Sequence, residues 1–334
     1  MSGPTSPGNP AARSPFGGFA EIGGLLGFLA IVVMVFALSN SRFLSGPTFA
    51  SIAFQLPELG LLTLAMLIPI ISGGFNLAIT FTANISALTL AWTMQAYGGV
   101  DAGTGAYVLG VVAALGVGAF IGWVMGVAIA YTGAHPILVS LSMMIFLRGL
   151  GEFMTRGGDV SGFPPFVSFI GHGTLGGIPM PLWILGVCVL LWHVLLTRTR
   201  LGFNVYMIGS NIEATRYSGI DTRRTLTLVY TLSGLMCGIA GVVMLSRFNS
   251  VRVGHGEAYL LITVLACFLG RVDPFGGFGR VLPVLVALVI LQVMASGLNL
   301  LGANQHLATA MWGVFLILVM VIRWGLARYL PKRR

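Results

Sequence analysis

The feature that most constrains this chain is a set of long apolar blocks with no charge in them. Residues 22–39, 108–131 and 281–301 contain not one Asp, Glu, Lys or Arg. A helix needs about 20 apolar residues to cross the hydrocarbon core of a bilayer. Charged residues make up only 8% of the 334 positions and hydrophobic residues 56%. Soluble domains carry roughly 25% charged residues, so this chain lacks the polar surface that water would require. The helical reading is preferred over a membrane β-barrel, whose strands are short and alternate in polarity. The chain is therefore expected to be an all-α integral membrane protein.

Spans are expected at 22–40, 51–73, 76–97, 105–131, 137–154, 180–197, 225–246, 257–270, 281–301 and 306–324. That makes about ten transmembrane helices. The first block is longer than a signal-peptide core and reads as a retained span. His135-Pro136 opens the fifth span, where proline suits a helix start. The eighth is short enough to be a half-span or re-entrant helix, whose irregular end must be buried in protein. Residues 1–20, rich in Pro, Gly and Ser, are expected to be a disordered cytoplasmic tail. Residues 21–326 form the transmembrane domain, and 327–334 a basic cytoplasmic tail.

The net charge of +9 belongs to loops and the C-terminus and reads as an orientation signal, not as a nucleic-acid footprint. With the C-terminus inside, all but Arg42, Arg148, Arg156, Arg247 and Arg252 of the 18 basic residues fall on the cytoplasmic side. The longest outer connection, 155–179, holds Gly162-Phe163-Pro164-Pro165-Phe166 and could be a docking surface or a packed loop. His255 and Glu257, at the outer end of the seventh span, could meet a partner, line the mouth or be solvated.

No catalytic signature is present. There is no G-x-x-x-x-G-K-[ST], H-E-x-x-H or G-x-S-x-G motif. The histidines are not spaced as metal ligands, and Cys188, Cys237 and Cys267 lie in apolar stretches as small core residues. No cofactor and no metal are expected. If the protein performs active transport, another polypeptide supplies the energy.

Two polar features stand out. Asn76, Thr80 and Asn84 are spaced i, i+4, i+8 and share one helix face. Either they hydrogen-bond between helices, or as a set they line a pathway for a polyhydroxylated ligand. In the inner connection 198–224, Asn211 is placed as an N-cap. Residues 212–218 make about two turns, and Gly219 closes them at C′. This is a plain connector or a helix that docks into a cytoplasmic partner. Gly118, Gly122 and Gly126 form a tandem G-x-x-x-G series, read as packing within the chain in preference to a dimer contact.

The stretch Gly209-Ser210-Asn211-Ile212-Glu213-Ala214-Thr215-Arg216-Tyr217-Ser218-Gly219-Ile220 resembles the cytoplasmic coupling-helix motif of permeases from ribose-type bacterial ABC importers. Pro136, Ile137, Leu141, Arg148 and Gly149 match that family's P-x-I-x-x-L-x-x-x-x-x-x-R-G segment. Gly297-Leu298-Asn299-Leu300-Leu301-Gly302 matches its late G-L-N-L-L-G, and Gly276-Gly277-Phe278-Gly279-Arg280 its Gly-rich turn. The resemblance covers residues 50–325. Two departures stand in it: Asn76 replaces the Asp of G-G-I-D-L-S, and Arg271, Asp273 and Pro274 enter the G-G-T-S-x-x-G-G-x-G loop.

The resemblance implies a non-enzymatic permease subunit in the bacterial inner membrane. It implies a second permease subunit, identical or homologous, ATP-binding cassette ATPase subunits below and a periplasmic substrate-binding protein above. Typical solutes are sugars and polyols, with some nucleosides and signalling sugars. The implied coupling residues are Gly209, Asn211, Glu213, Ala214, Tyr217, Ser218, Gly219 and Ile220; the candidate pathway residues are Asn76, Thr80 and Asn84. The competing reading is an ion-coupled secondary transporter, which would need intramembrane ionisable groups. Glu58 and Arg148 are the main candidates for that. A non-transporting scaffold is the third reading, and it would need no polar stripe.

Overall fold

The computed structural model describes residues 17–303, together with 307, 310–315, 317 and 321. Most of the expected tenth span, the tail 327–334 and residues 1–16 lie outside the described residues.

Apolar composition becomes helix almost throughout. The first elements are α1 (Gly17–Ser39), α2 (Gly46–Ile71), α3 (Ile79–Ala96), α4 (Thr104–Thr132) and α5 (Pro136–Thr155). The connection after α5 holds strand β1 (Val160–Ser161), the short α6 (Phe169–His172), and the pair β2 (Thr174–Leu175) and β3 (Ile178–Pro179). Then come α7 (Met180–Arg198), α8 (Arg200–Ser210), α9 (Ile212–Tyr217), α10 (Thr222–Phe248), β4 (Ser250–Val251), α11 (Tyr259–Leu269) and α12 (Val281–Leu300). Among the described residues, seven helices are long and apolar enough to span a membrane: α1, α2, α4, α5, α7, α10 and α12.

The remaining two expected spans in this region are helices of a different kind. α3 has 18 residues, buried continuously from Ile79 to Leu88 and more exposed toward Ala96. α11 has 11 residues, roughly 16 Å, about half the hydrocarbon thickness. In the irregular segment that follows it Val272 is fully buried and Gly276 sits against Gly73, while Arg271, Phe275 and Arg280 are exposed.

The bundle is layered around α2 and α10. α2 is buried from Leu56 onward, and α10 packs on α2, α3 and α4. Apolar side chains of α4, α5 and α7 point outward, among them Val112, Phe120, Ile145, Phe153, Leu190 and Leu191. In a bilayer these meet hydrocarbon, where outward-facing apolar residues carry no penalty.

The G-x-x-x-G series explains how close α4 and α10 come. A β-carbon at Gly126 would lie 2.8 Å from Thr227 Cα, and one at Gly122 would strike the Tyr230 carbonyl. Gly118 faces Gly234 and Gly238. The glycines serve packing within the chain, as read from their spacing.

The connection 156–179 is a largely exposed cap anchored by a few buried residues. β1 pairs with β4 (Val160↔Val251, Ser161↔Ser250), and β2 with β3 (Thr174↔Pro179, Leu175↔Ile178). Phe163 and Val167 are buried, and Gly171 rests on the Arg247 backbone. Glu257 pairs with Arg148 at 3.1 Å. His255 stacks on Phe248 with ring centroids 4.0 Å apart, and burial pushes its imidazole down from the usual range.

Candidate transport pathway and coupling site

α2 carries two internal prolines, Pro57 and Pro69. A proline removes the N–H that would bond the carbonyl four residues back, so Pro69 leaves the Ala65 carbonyl free. Ser233 of α10 donates its hydroxyl to that oxygen at 2.6 Å. Asn76 then donates its amide to Ser233 Oγ at 2.8 Å and accepts from the Ala78 backbone. The Asn76 amide is thus engaged in joining α2, α10 and the start of α3. Nearby, the Tyr230 hydroxyl donates to the Phe75 carbonyl.

Further along α3 the polar side chains differ. Thr80, Thr82, Asn84 and Ser86 are each 2% exposed or less. Thr80 Oγ1, Thr82 Oγ1, Asn84 Nδ2 and Ser86 Oγ have no hydrogen-bond partner among the described residues. Leaving a buried polar group unpaired costs about 1–3 kcal/mol, so four in succession need an explanation beyond packing. Neighbours assign their directions. Ala83 and Ala87 meet α10 at Gly241, Phe81 and Ile85 meet α5 at Arg148 and Gly151, and Ser86 and Leu90 meet α4 at Gly118 and Gly110. By elimination Thr80 and Asn84 take the side left over; the other helices that α3 contacts are α2 and α11.

At the end of the bundle near Asn76, backbones meet without side chains between them. Gly277 donates its N–H to the Ile71 carbonyl at 2.8 Å. A β-carbon at Gly276 would lie 2.7 Å from Gly73 Cα and 2.9 Å from Gly209 Cα. One at Gly209 would strike the Ile71 carbonyl and the Gly277 nitrogen. Tyr206 of α8 donates its hydroxyl to the Gly279 carbonyl at 2.6 Å. The end of α2, the end of α8 and the turn between α11 and α12 are therefore one junction. A cleft of about 570 Å³ opens beside it, lined in part by His193, Tyr206 and Arg280.

α9 follows directly in the chain from Gly209 and Ser210 of this junction and packs on α8 and α10. Asn211 caps it by accepting from the Ala214 N–H at 3.0 Å, and Gly219 follows it with φ +80°. Thr215 is fully buried and holds the Asn211 carbonyl, while Ser218 holds that of Ala214. Glu213 and Arg216 pair at 3.5 Å on the exposed side. Tyr217 is 89% exposed, an aromatic of the kind that anchors interfaces.

Glu58 of α2 is completely buried and forms an ion pair with Arg247 of α10 at 2.8 Å. The Tyr259 hydroxyl of α11 lies 3.4 Å from the same carboxylate oxygen. Sequence reasoning singled out Glu58 but not these partners, nor Ser233, Tyr206 and the opposing glycines at 73, 276 and 277 as one junction. The prolines of α2 were the available signal for Ser233. Among the described residues no group of three His, Cys, Asp or Glu side chains gathers as a metal site.

Comparison with known proteins agrees with the motifs. Residues 48–322 match the family described as branched-chain amino acid transport system / permease component. The chain is 32% identical over 305 residues to the autoinducer 2 import system permease protein LsrD of Yersinia enterocolitica serotype O:8 / biotype 1B, covering 90% of each chain. It is 30% identical, over the same length and shares, to the proteins of that name from Yersinia pseudotuberculosis serotype O:3 and Yersinia pestis strain Pestoides F. No solved structure matches it. The chain belongs to the branched-chain amino acid transport system / permease component family, as a multi-pass inner-membrane permease of the ABC importer type.

Proposed function

We propose that this chain passes an uncharged, polyhydroxylated solute, a sugar or polyol, into the cytoplasm by alternating access. It does so as one of two permease subunits, each a bundle of about ten spans over residues 21–326, with cytoplasmic tails at 1–20 and 327–334. The observation that carries the reading is the run of buried, unpartnered and neutral groups on α3. Hydroxyls and amides can exchange hydrogen bonds with a passing polyol without the desolvation cost of a charge. Thr80 and Asn84 form the pathway, and Asn76 anchors its inner end.

ATP is hydrolysed by separate subunits, and α9 is their contact. Gly209, Asn211, Glu213, Ala214, Tyr217, Ser218, Gly219 and Ile220 form the coupling element. Its movement reaches α2 and the α11–α12 turn through the glycine junction. A periplasmic binding protein delivers the solute at the opposite end.

The second reading is favoured by the relatives' names: the solute is autoinducer 2 itself. Reconstitution with the ATPase and binding protein, followed by uptake of pentoses, hexoses, polyols, autoinducer 2 and leucine, distinguishes these. ATP-dependent uptake of leucine alone would sink both readings. Uptake persisting without the ATPase would support an ion-coupled carrier instead.

A further inference from the structure

Among the described residues the bundle holds one buried carboxylate, and the proposed pathway does not use it. Glu58 is 0% exposed, although water or lipid at a helix end would shelter a charge more cheaply. Only one of its oxygens is occupied. Oε2 meets Arg247 and Tyr259, while Oε1 has no hydrogen-bond partner among the described residues.

Depth along the helices relates this oxygen to the pathway. Ser233 ties Ala65 and Asn76 to a common level. Glu58 lies seven residues from Ala65 along α2, and Asn84 eight residues from Asn76 along the α3 segment, both away from the α9 end. At 1.5 Å per helical residue Glu58 is roughly 10 Å from that level, and Asn84 stands five helical steps beyond Ile79, roughly 8 Å, with the turn 76–78 in addition. The directions agree as well. Glu58 faces α10 and α11, where its partners lie, and Asn84 by elimination takes the side of α3 not met by α4, α5 and α10, the other helices that α3 contacts being α2 and α11. Two buried groups with unused hydrogen-bonding capacity, an acceptor and a donor, therefore stand at one depth in the space among α2, α3, α10 and α11.

We propose that Glu58 Oε1 and Asn84 Nδ2 form a recognition point for a vicinal diol, Glu58 accepting from one hydroxyl and Asn84 donating to the next, with Arg247 and Tyr259 holding the carboxylate in place. This rests on the sugar or polyol reading above. A carboxylate accepts hydroxyl protons with charge-assisted strength, and an amide donates to the neighbouring oxygen. The pairing selects for two adjacent hydroxyls where neutral groups alone would select only for polarity. The ion pair keeps an acceptor at this depth without leaving an isolated charge in the bundle.

The test uses the complete reconstituted importer with D-ribose, xylitol and 2-deoxy-D-ribose as labelled solutes. The parent is expected to discriminate against the deoxy sugar. Glu58→Gln and Asn84→Ala should each reduce that discrimination by roughly tenfold, the factor lost with a hydrogen bond in a dry site. Membrane abundance and ATPase co-purification should stay unchanged, a split that a purely structural role does not produce. If Glu58→Gln fails to assemble, Asn84→Ala decides alone. Unchanged discrimination in the assembled variants overturns the proposal while leaving the sugar reading intact. A parent complex that takes up none of the three solutes overturns this proposal, and the full panel of solutes decides the wider reading.

Discussion

At the residue scale, identical side chains on one chain segment have different uses because their neighbours differ. Asn76, in the segment just before α3, is bonded to Ser233, whereas Asn84 Nδ2, within α3, has no hydrogen-bond partner among the described residues. Ser233→Ala should orphan two buried groups, the Asn76 amide and the Ala65 carbonyl. A loss of about 2–4 kcal/mol is expected, read as a lower melting temperature of the purified protein. A melt matching the parent would remove Ser233 as the link between α2 and α10. Asn84→Leu and Thr80→Val should instead leave the melt near the parent and lower uptake, since those atoms have no protein partner to lose. Normal uptake in both would return the stripe to packing. The face shared by Thr80 and Asn84 was legible from i, i+4 spacing, but Asn76 was wrongly included in it, because α3 begins only at Ile79 and Asn76 lies in the segment before it. Which member is engaged was not, because the Asn76 partner lies 157 residues away.

At the element scale, α9 and the glycine junction carry the proposed coupling. Its caps at Asn211 and Gly219 follow from local chemistry and were legible in the sequence. α8 was not: the connection 198–224 reads as a loop, whereas Arg200–Ser210 is helical. The break at Thr199 is a single extended residue whose hydroxyl accepts from the Gly202 N–H, starting a new helix at once. Gly219→Val forces a β-branched residue into the left-handed region at a cost of about 1–2 kcal/mol. No atom lies near enough to clash, so the penalty is conformational and local to α9. We expect normal membrane insertion but weakened co-purification of the ATPase, and Glu213→Ala to act in the same direction by removing a charge from the docking face. Gly209→Ala tests the next link. Its methyl would strike Ile71 and Gly277, so the ATPase should still dock while ATP hydrolysis no longer drives uptake. Uptake at the parental rate in Gly209→Ala would dissolve the junction as a transmission element.

At the scale of the whole molecule, orientation and burial can be tested together. A cysteine at Tyr217, in a background lacking the three native cysteines, should be protected from an impermeant thiol reagent outside intact spheroplasts. One at Gly162, on the exposed cap, should be labelled. Labelling at position 217 from outside would reverse the orientation drawn from the basic residues. What the sequence determined by itself is the solvent of the fold: uncharged blocks long enough for a bilayer, turns placed by glycine, proline and capping residues, and motifs with a family order. These signals are local, since each depends on residues within a few turns of one another. Tertiary structure alone decided that α2 and α10 are central, that glycines from three distant segments share one contact, and that Glu58 meets Arg247 and Tyr259. Those outcomes depend on crossing angles and depths between helices far apart in the chain. In hydrocarbon, apolar surface looks alike on every helix, so the unpaired backbone groups, small residues and buried charges choose the partners.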